Sequence, residues 1–512
     1  MIPILRCGAL LLATLALPSG AAHAQSSPTG CKYVQVAKVP IRYSGPSLSI
    51  TMEGVIEGTP ARMLVDTGAV ESFLTRTGTE RRGLYLRNTG ELRQGIGGET
   101  SIYATRLKDF SAGPARSTPG WVRVIGETGF TPEYDAILGA PFLLQTDLEF
   151  SLASKAISFF RPINCKDDFL AYWSRDAVVI PFNSRTARGE NPHFTIKLNG
   201  YELDAVIDSG AATTSVDMIA AKRAGLKMDA PGMVRAGHVV GVGQARVSNW
   251  TTTVDTLGIG DETIRNARIS VTDGAGHIHT DVLLGADFLR SHRVLFAMSQ
   301  QKLYISYVGG EPLGQGRTLE PWMQQEADAG NPDAQFALAR RYEDGDGVAQ
   351  DKAQAKVWLD KAAAAGQPQA NLRTGQWLLL EGQHAEAVRR LRSALEHLPA
   401  ERVGALWLYL ARVRANEADL GKQELATTFK RSEGNEWPVP MANYFLEKID
   451  ATALLKQAGK DKKYAARRTC QAAEWMTQYH LARGDEARAQ ELREAHGGSC
   501  AAARKAQDEA DD

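Results

Sequence analysis

The sequence has no net charge and few of the patterns that mark common enzyme classes. Its 512 residues include 59 Lys and Arg and 59 Asp and Glu, so these charges cancel at pH 7. Neither a nucleic-acid surface nor attraction to an anionic membrane is indicated. There is no Ser/His/Asp nucleophile elbow, phosphate-binding loop or dinucleotide fingerprint. After the first 24 residues, no apolar run is long enough to span a bilayer.

The first 24 residues have the composition of an export signal. Arg6 precedes an apolar run over residues 9–17, and Ala22-His23-Ala24 has the small residues of a cleavage site. We therefore expect residues 1–24 to be a signal peptide and the mature chain to be periplasmic or secreted. A membrane anchor is the alternative, but the apolar run is short for a bilayer.

Cysteine is scarce, with five residues in the chain, and Cys7 lies inside the signal segment. The even number that remains indicates disulfide bonds in an exported protein. Cys31 and Cys165 bracket the first β unit described below, whereas Cys470 and Cys500 bracket the last helical pair. We expect these two bridges, with four buried free thiols as the alternative.

Residues 33–307 have the pattern of β structure. Short runs rich in Val, Ile, Thr and aromatic residues alternate with turns rich in Gly, Asn, Pro and Asp. Asn199-Gly200 lies between two such runs and predicts a tight hairpin.

An internal repeat divides this β region into two lobes. Val65-Asp66-Thr67-Gly68-Ala69 is matched 142 residues later by Ile207-Asp208-Ser209-Gly210-Ala211. Residues 135–143 are matched 146 residues later by residues 281–289. The lobes are therefore homologous units that differ by about four inserted residues between their motifs.

The repeated motif suits a carboxyl group at the floor of a cleft. A Thr67 or Ser209 hydroxyl can fix the loop by hydrogen bonding across the interface, and glycine lets backbone approach a carboxylate. Two facing aspartates can hold one water and share a proton, because both cannot easily ionise. One is then a general base, and the protonated partner activates a carbonyl.

These motifs resemble those of the retroviral-type (retropepsin-like) aspartic peptidases. Ile137-Leu138-Gly139 and Leu283-Leu284-Gly285 match the segments that pack behind each catalytic loop in that family. The resemblance covers roughly residues 40–307 and implies a two-lobed acid-protease fold without metal or cofactor. It implies catalytic roles for Asp66 and Asp208, with Thr67, Gly68, Ser209 and Gly210 supporting the catalytic loops.

The family also has a Gly-rich flap in each lobe that closes over substrate. The matching residues are Gly95, Ile96, Gly97 and Gly98 in lobe 1 and Gly241, Val242 and Gly243 in lobe 2. The flaps differ, since Gln244 stands where lobe 1 has Gly98. The residues after the Asp loops differ too, with Val70-Glu71-Ser72 against Ala212-Thr213-Thr214. An inactive relative therefore stays open as an alternative.

Other polar residues fit supporting roles better than a second site. His277 and His279 near Asp281 could suggest a metal, but lobe 1 has no counterpart of the histidines, so a polar loop is favoured. Asp135 and Asp281 should cap the turns before their Leu-Gly segments. The hydroxyls of Ser72 and residues 213–215 should either bond the catalytic carboxylates or complete the turns.

A Gly-rich linker over residues 309–318 precedes a helical pattern that continues to the end. Residues 329–370 resemble a Sel-one-like repeat, a relative of the tetratricopeptide repeat, with Gly345-Asp346-Gly347-Val348 as the turn between two helices. Such pairs bury their apolar faces by stacking. The resemblance implies a surface that binds a protein or peptide, with packing against the β region as the alternative.

We therefore predict an all-β bilobal aspartic-peptidase domain followed by an all-α repeat solenoid. The predicted boundaries are 25–165 for lobe 1, 177–308 for lobe 2 and 319–505 for the repeats. The predicted function is an exported aspartic endopeptidase that acts on a peptide or protein, with a protein partner on the repeats. The alternative is a catalytically inactive peptide- or protein-binding module of the cell envelope.

Overall fold

The structure is a computed structural model that describes a large part of the chain. It describes residues 30–117, 119–126, 132–183, 191–243, 245–273, 280–313, 319–399, 401–430, 437–462 and 464–511. The predicted signal peptide, Gln244, His277, His279 and residues 314–318 of the predicted linker lie outside these ranges.

The first lobe is built from strands with two short helices. Its strands are β1 (Lys32–Ser44), β2 (Ser49–Ile56), β3 (Thr59–Val65), β4 (Phe73–Thr75), β5 (Arg87–Gly95), β6 (Gly98–Leu107), β7 (Phe110–Ala112), β8 (Ala115–Ser117), β9 (Gly120–Ile125), β10 (Ala136–Leu138), β11 (Asp147–Ser151) and β12 (Ala156–Ile163). Its helices are α1 (Arg76–Arg81) and α2 (Ala140–Leu143), and a single 3₁₀ turn lies between β11 and β12.

The second lobe repeats this plan. Its strands are β13 (Val178–Pro181), β14 (Phe194–Leu198), β15 (Tyr201–Ile207), β16 (Ser215–Asp217), β17 (Val234–Val239), β18 (Val247–Ile259), β19 (Glu262–Thr272), β20 (Val282–Leu284), β21 (His292–Ala297) and β22 (Lys302–Tyr307), with helices α3 (Met218–Arg223) and α4 (Ala286–Ser291). Burial alternates along β14, as a half-buried strand requires. The predicted hairpin turn is confirmed, since Asn199 and Gly200 join β14 to β15 with φ of 48° and 83°.

The two lobes share one strand order around their Asp motifs. Lobe 1 runs β2-β3-β10-β4-β9-β6-β5, and lobe 2 runs β14-β15-β20-β16-β19-β18-β17. In both, the strand that leads to the Asp loop pairs in parallel with the Leu-Gly strand. Val65 lies opposite Leu138, and Ile207 lies opposite Leu284. The internal repeat of the sequence is therefore a repeat of structure.

A sheet made from both lobes holds them together. Its order is β13-β22-β21-β11-β12-β1, and the lobes meet where β11 pairs antiparallel with β21. Phe150 and Phe296, which occupy equivalent positions of the repeat, are fully buried there with ring centroids 5.9 Å apart. The Cys31–Cys165 disulfide ties the start of β1 to the end of β12. These contacts fix how the two Asp motifs face each other.

Antiparallel helices follow the β region. They are α5 (Pro321–Asp328), α6 (Pro332–Asp344), α7 (Lys352–Ala364), α8 (Pro368–Leu380), α9 (His384–His397), α10 (Arg402–Arg414), α11 (Ala418–Phe429), α12 (Val439–Phe445), α13 (Ala451–Ala458), α14 (Ala465–Ala482) and α15 (Glu486–Asp511). Gly345, with φ of 73°, ends α6 in the left-handed conformation, as the predicted turn requires. The Cys470–Cys500 disulfide joins α14 to α15. The predicted fold class, a two-lobed β domain followed by helical repeats, is confirmed.

The first helices pack directly on the β region. Buried residues of α5 to α8, such as Met323 and Leu338, share one apolar core with both lobes. The Trp322 ring lies 4.9 Å from that of Tyr43, and the Arg290 guanidinium lies 4.1 Å above Trp322. Within the described residues, no helix has both the length and the apolar character needed to cross a bilayer.

Replacing Phe150 with Ala should destabilise the two-lobed region, because it opens a cavity in the shared sheet. Truncation of a buried Phe costs about 3–5 kcal/mol, so we expect the free energy of unfolding from urea denaturation to fall by that order. Phe296→Ala should behave alike. Val179→Ala, on the edge strand β13 and 40% exposed, is the control and should change stability by about 0.5 kcal/mol or less. Equal losses in Phe150→Ala and Val179→Ala would contradict this account.

Candidate active site

Thr67 and Ser209 exchange hydrogen bonds between the two lobes. The Thr67 amide donates to Ser209 Oγ over 3.0 Å, and the Ser209 amide donates to Thr67 Oγ1 over 3.0 Å. Each hydroxyl then donates to the opposite strand, Thr67 to the Ile207 carbonyl at 2.6 Å and Ser209 to the Val65 carbonyl at 2.7 Å. Both side chains are buried. The predicted contact across the interface is therefore present and reciprocal.

This exchange brings the two aspartates together. The Asp66 and Asp208 carboxyl groups lie close enough for each to affect the pKa of the other. Each also lies against the glycine of the opposite lobe. A Cβ added to Gly210 would be 2.4 Å from the Asp66 carboxyl carbon, and one added to Gly68 would be 2.4 Å from that of Asp208. These two positions therefore accept glycine alone.

The protein surroundings raise both carboxyl pKa values. Burial, and then the charge of Asp208, raise the pKa of Asp66 well above its usual range. Burial also raises the pKa of Asp208, against the effect of the Gly210 and Ala211 amides, which donate to its Oδ1 at 2.9 and 3.2 Å. Part of each residue's surface stays open to solvent, as expected at a cleft floor. A pair in these surroundings can hold one proton between its two carboxyl groups.

The Leu-Gly segments support the Asp loops through matching hydrogen bonds. The Asp66 amide donates to the Leu138 carbonyl at 3.0 Å, and the Asp208 amide donates to the Leu284 carbonyl at 2.9 Å. Ser72 Oγ accepts from the Gly139 amide at 3.0 Å. Its counterpart in lobe 2 accepts from the equivalent glycine amide at 3.1 Å. Of the two alternatives for these hydroxyls, the observed bonds are those that complete the turns.

Asp135 and Asp281 are structural, as expected, but the bonds they make join neighbouring strands and do not cap the predicted turns. Asp135 accepts from the Arg62 amide at 2.9 Å, and Asp281 accepts from the Asp204 amide at 3.1 Å. Both bonds join the start of a Leu-Gly segment to the strand that leads to an Asp loop. Asp135 also pairs with Arg82 at 2.8 Å.

Asp287 is a supporting residue that sequence reasoning did not single out. It is buried, and its carboxylate accepts from the Thr214 amide and hydroxyl, each at 2.8 Å, and from the Phe288 amide at 2.8 Å. Burial raises its pKa. Lobe 1 has Pro141 at the equivalent position. An acidic residue within an otherwise apolar repeated segment was the available signal.

The predicted flap residues of the two lobes contact one another. Gly95 and Gly98 close the β5–β6 hairpin of lobe 1. The Gly97 amide donates to the Val242 carbonyl at 2.7 Å, and the Gly97 carbonyl accepts from the Ala245 amide at 2.8 Å. Added Cβ atoms on Gly95 and Gly241 would lie within 2.5 Å of the opposite flap, and Gly243 has φ of 101°. Glycine therefore permits the two tips to meet.

The flap of lobe 1 carries an ionic cluster that lobe 2 lacks at the equivalent positions. Glu71, just after the Asp66 loop, pairs with Arg123 of β9 at 2.6 Å and with Arg93 of β5 at 3.4 Å. In lobe 2, Thr213 stands at the position of Glu71, and Ser270 of β19 stands in the register of Arg123. The divergence after the Asp loops therefore has a structural meaning: the flap strand of lobe 1 is tied by charge to its catalytic-type loop.

Comparison with known proteins identifies the repeated unit. The family model described as "Aspartyl protease" matches residues 52–142, in lobe 1. The one described as "gag-polyprotein putative aspartyl protease" matches residues 194–291, in lobe 2. Both lobes match aspartyl protease families. A Sel1 repeat model matches residues 332–367, which hold α6 and α7. The resemblances drawn from the motifs are thus confirmed for both protease lobes and for the repeat.

A curated relative has a description that names no protease. The chain is 32% identical over 130 residues to the "Exopolysaccharide production negative regulator" of Rhizobium leguminosarum bv. viciae. The match covers 24% of this chain and 47% of that protein. The chain thus spans about half the length of this curated relative.

Asp66→Asn should change how the stability of the two β lobes depends on pH. The pKa of Asp66 in the folded state lies above its unfolded value of about 3.9. Protonation of Asp66 therefore contributes its full stabilisation of the fold at pH values below that unfolded pKa. This contribution is lost as pH rises through the folded pKa. Asn keeps the shape and cannot ionise. We expect Asp66→Asn to unfold at higher urea concentration than wild type at neutral pH, and the difference to shrink toward about pH 3–4.

The control for this measurement is Asp261→Asn, an exposed carboxylate at the turn between β18 and β19. Its urea midpoint should follow that of the wild type across the same pH range. A stability difference for Asp66→Asn that does not vary with pH would show that the Asp66 carboxyl is not in the environment described.

Proposed function

We propose that the two β lobes form an aspartic endopeptidase whose catalytic dyad is Asp66 and Asp208. The observation that carries this proposal is that each Asp carboxyl group lies against the glycine of the opposite Asp loop, on loops locked by Thr67 and Ser209. A pair of carboxyl groups at the floor of a cleft can hold one proton between them at a pH where isolated ones are ionised.

In this mechanism Asp208 is the general base and Asp66 is the acid. Backbone amides stabilise the charge on Asp208, so it takes a proton from a water placed between the two groups. Asp66 donates its hydrogen bond to the scissile carbonyl oxygen and stabilises the negative charge that develops there. Protons then pass to the leaving amine as the tetrahedral intermediate collapses. The route requires no covalent enzyme intermediate.

The flaps and the repeats suit a substrate presented as an extended chain. Backbone groups of Gly97 and Val242 meet between the lobes, where flap opening would admit a peptide. The helical repeats would bind a protein partner or present a protein substrate. The two disulfide bridges support an exported protein, and we propose export through a signal peptide at residues 1–24.

Asp66→Asn and Asp208→Asn should each abolish peptide cleavage, because each removes one half of the acid–base pair. General acid–base groups contribute about 10²–10⁴-fold to rate, so we expect a loss of at least that order in kcat/KM. The measurement is cleavage of a mixed peptide library across pH 3–8, followed by mass spectrometry. The activity should be acid-dependent and sensitive to a statine-type inhibitor.

Asp261→Asn is the matched control and should retain wild-type cleavage, since it replaces an exposed carboxylate of the same lobe as Asp208. If either single dyad variant retains wild-type activity, the one-chain dyad is wrong. A homodimer that pairs identical lobes would then be the first replacement.

A second candidate function is peptide or protein binding without cleavage. The partial match to a protein named as a negative regulator of exopolysaccharide production favours it. In this alternative the same cleft would capture a peptide, and the repeats would recruit a partner in the cell envelope. Intact library peptides that bind, together with unaffected binding to Asp208→Asn, would support this alternative over the peptidase.

A further inference from the structure

A second pair of carboxyl groups lies where the helical repeats meet lobe 1. Glu133 belongs to the segment just before β10, and Asp333 lies in the first turn of α6. Their exposed fractions are 7% and 4%, and one side-chain amide, that of Gln367, lies within hydrogen-bonding distance of both carboxyl groups. Neither residue takes part in the proposed reaction, so a buried acidic pair at this interface needs its own explanation.

Both oxygens of the Asp333 carboxyl group accept hydrogen bonds, whereas only one oxygen of Glu133 does so among the described residues. Gln367 Nε2 donates to Glu133 Oε1 at 2.8 Å and to Asp333 Oδ1 at 3.3 Å. The Arg62 guanidinium donates to Asp333 Oδ2 at 3.3 Å. Glu133 Oε2 is buried, and no donor among the described residues reaches it. A proton on Glu133 would turn its contact with Asp333 into a hydrogen bond, whereas ionisation would leave two carboxylates side by side.

The charged groups that face Glu133 come from three elements. Asp333 of α6 is negative, whereas Arg62 of β3 and Arg81 of α1 are positive. Gln367, the N-cap of α8, is neutral. Burial and the charge of Asp333 raise the pKa of Glu133 well above its usual range, against the opposing effects of Arg62 and Gln367. The neutral form of Glu133 is thus favoured in mild acid.

The segment that carries Glu133 also forms the wall behind Asp66. The next residue, Tyr134, packs against Leu64, Ile137 and Ala69, which borders the Asp66 loop. The Asp135 amide donates to the Arg62 carbonyl at 2.7 Å. The helices that hold Glu133 thus contact a segment that runs directly into β10, the strand beside the Asp66 loop.

In lobe 2 the position equivalent to Arg62 carries the opposite charge. Asp204 occupies the position of Arg62, and its carboxylate lies 2.7 Å from His193 of the same lobe. Arg62, whose guanidinium bonds α6 from lobe 1, therefore corresponds to an acidic residue in lobe 2.

We propose that Glu133 and Asp333 form an acid-stabilised latch that docks α6 and α8 onto the wall behind Asp66. The pair shares one proton when the latch is closed. At higher pH that proton is released to solvent, the two carboxylates repel, and the docking loosens. As a regulator of catalysis the latch rests on the proposed function, whereas the docking itself does not.

Hydrogen–deuterium exchange of the full chain tests the latch without any substrate. Protection is compared at pH 5 and pH 8 after correction for intrinsic exchange rates, in peptides that cover α6, α8 and residues 132–138. In the wild type we expect protection to fall by about tenfold or more between these pH values. In Glu133→Gln the amide can donate to Asp333 at every pH, so protection should stay high at both.

Two further variants separate the latch from general weakening of the interface. Glu326→Gln changes another buried carboxylate of the same interface, which contacts Lys155 and Asn331. It should lower protection to a similar extent at both pH values and retain the wild-type pH dependence. Gln367→Glu keeps an oxygen for the α8 cap and adds a third carboxyl group, so it should lower protection most at pH 8.

The latch is overturned if wild-type protection is the same at pH 5 and pH 8, or if Glu133→Gln loses protection with pH as the wild type does. Wild-type pH dependence in Gln367→Glu would overturn it independently. Exchange is read in the absence of substrate, so a chain that cleaves no peptide still gives a full answer. Failure of the proposed peptidase and failure of the latch are therefore distinguishable.

Discussion

The exchange of hydrogen bonds between Thr67 and Ser209 is the interaction on which the candidate site depends. Both hydroxyls are buried, and a buried polar group without a partner costs about 1–3 kcal/mol. Each hydroxyl and each amide finds its partner in the opposite lobe, so neither Asp loop can be satisfied alone. The shared sheet, through β11 and β21, brings the lobes to the spacing that this exchange requires. The close approach of Asp66 to Gly210 follows from these two constraints.

Duplication gives the site its symmetry, and later divergence gives its halves different properties. The strand order and the Leu-Gly supports are common to both lobes. The ionic cluster at Glu71 belongs to lobe 1, and the buried carboxylate of Asp287 belongs to lobe 2. In a symmetric pair of carboxyl groups, the shared proton would be equally stable on either member. In the proposed mechanism unequal surroundings resolve that degeneracy, since the Gly210 and Ala211 amides donate to Asp208 Oδ1 and the Ala69 amide donates to Asp66 Oδ1.

Short-range sequence patterns predicted the features of the fold that depend on residues close together in the chain. Alternating strands, the Asn199-Gly200 turn and the paired Asp motifs are each written within a few neighbouring residues, and the repeat revealed the lobes. The docking of α6 on lobe 1 was left open, because Glu133 and Asp333 are far apart in the chain and no periodicity links them. Asp287 was missed for a related reason: its partner, Thr214, is brought close only by the fold.

Two carboxyl pairs, Asp66 with Asp208 and Glu133 with Asp333, each have one member in lobe 1 and follow one physical principle. In each, a low-dielectric setting disfavours a second negative charge, so protonation of one member stabilises the folded arrangement. The pair at Asp66 would use the retained proton for chemistry, and the pair at Glu133 would use it for docking. Both effects have the same sign with pH. A helical domain that docks through such a pair is therefore best seated under the conditions in which Asp66 holds its proton.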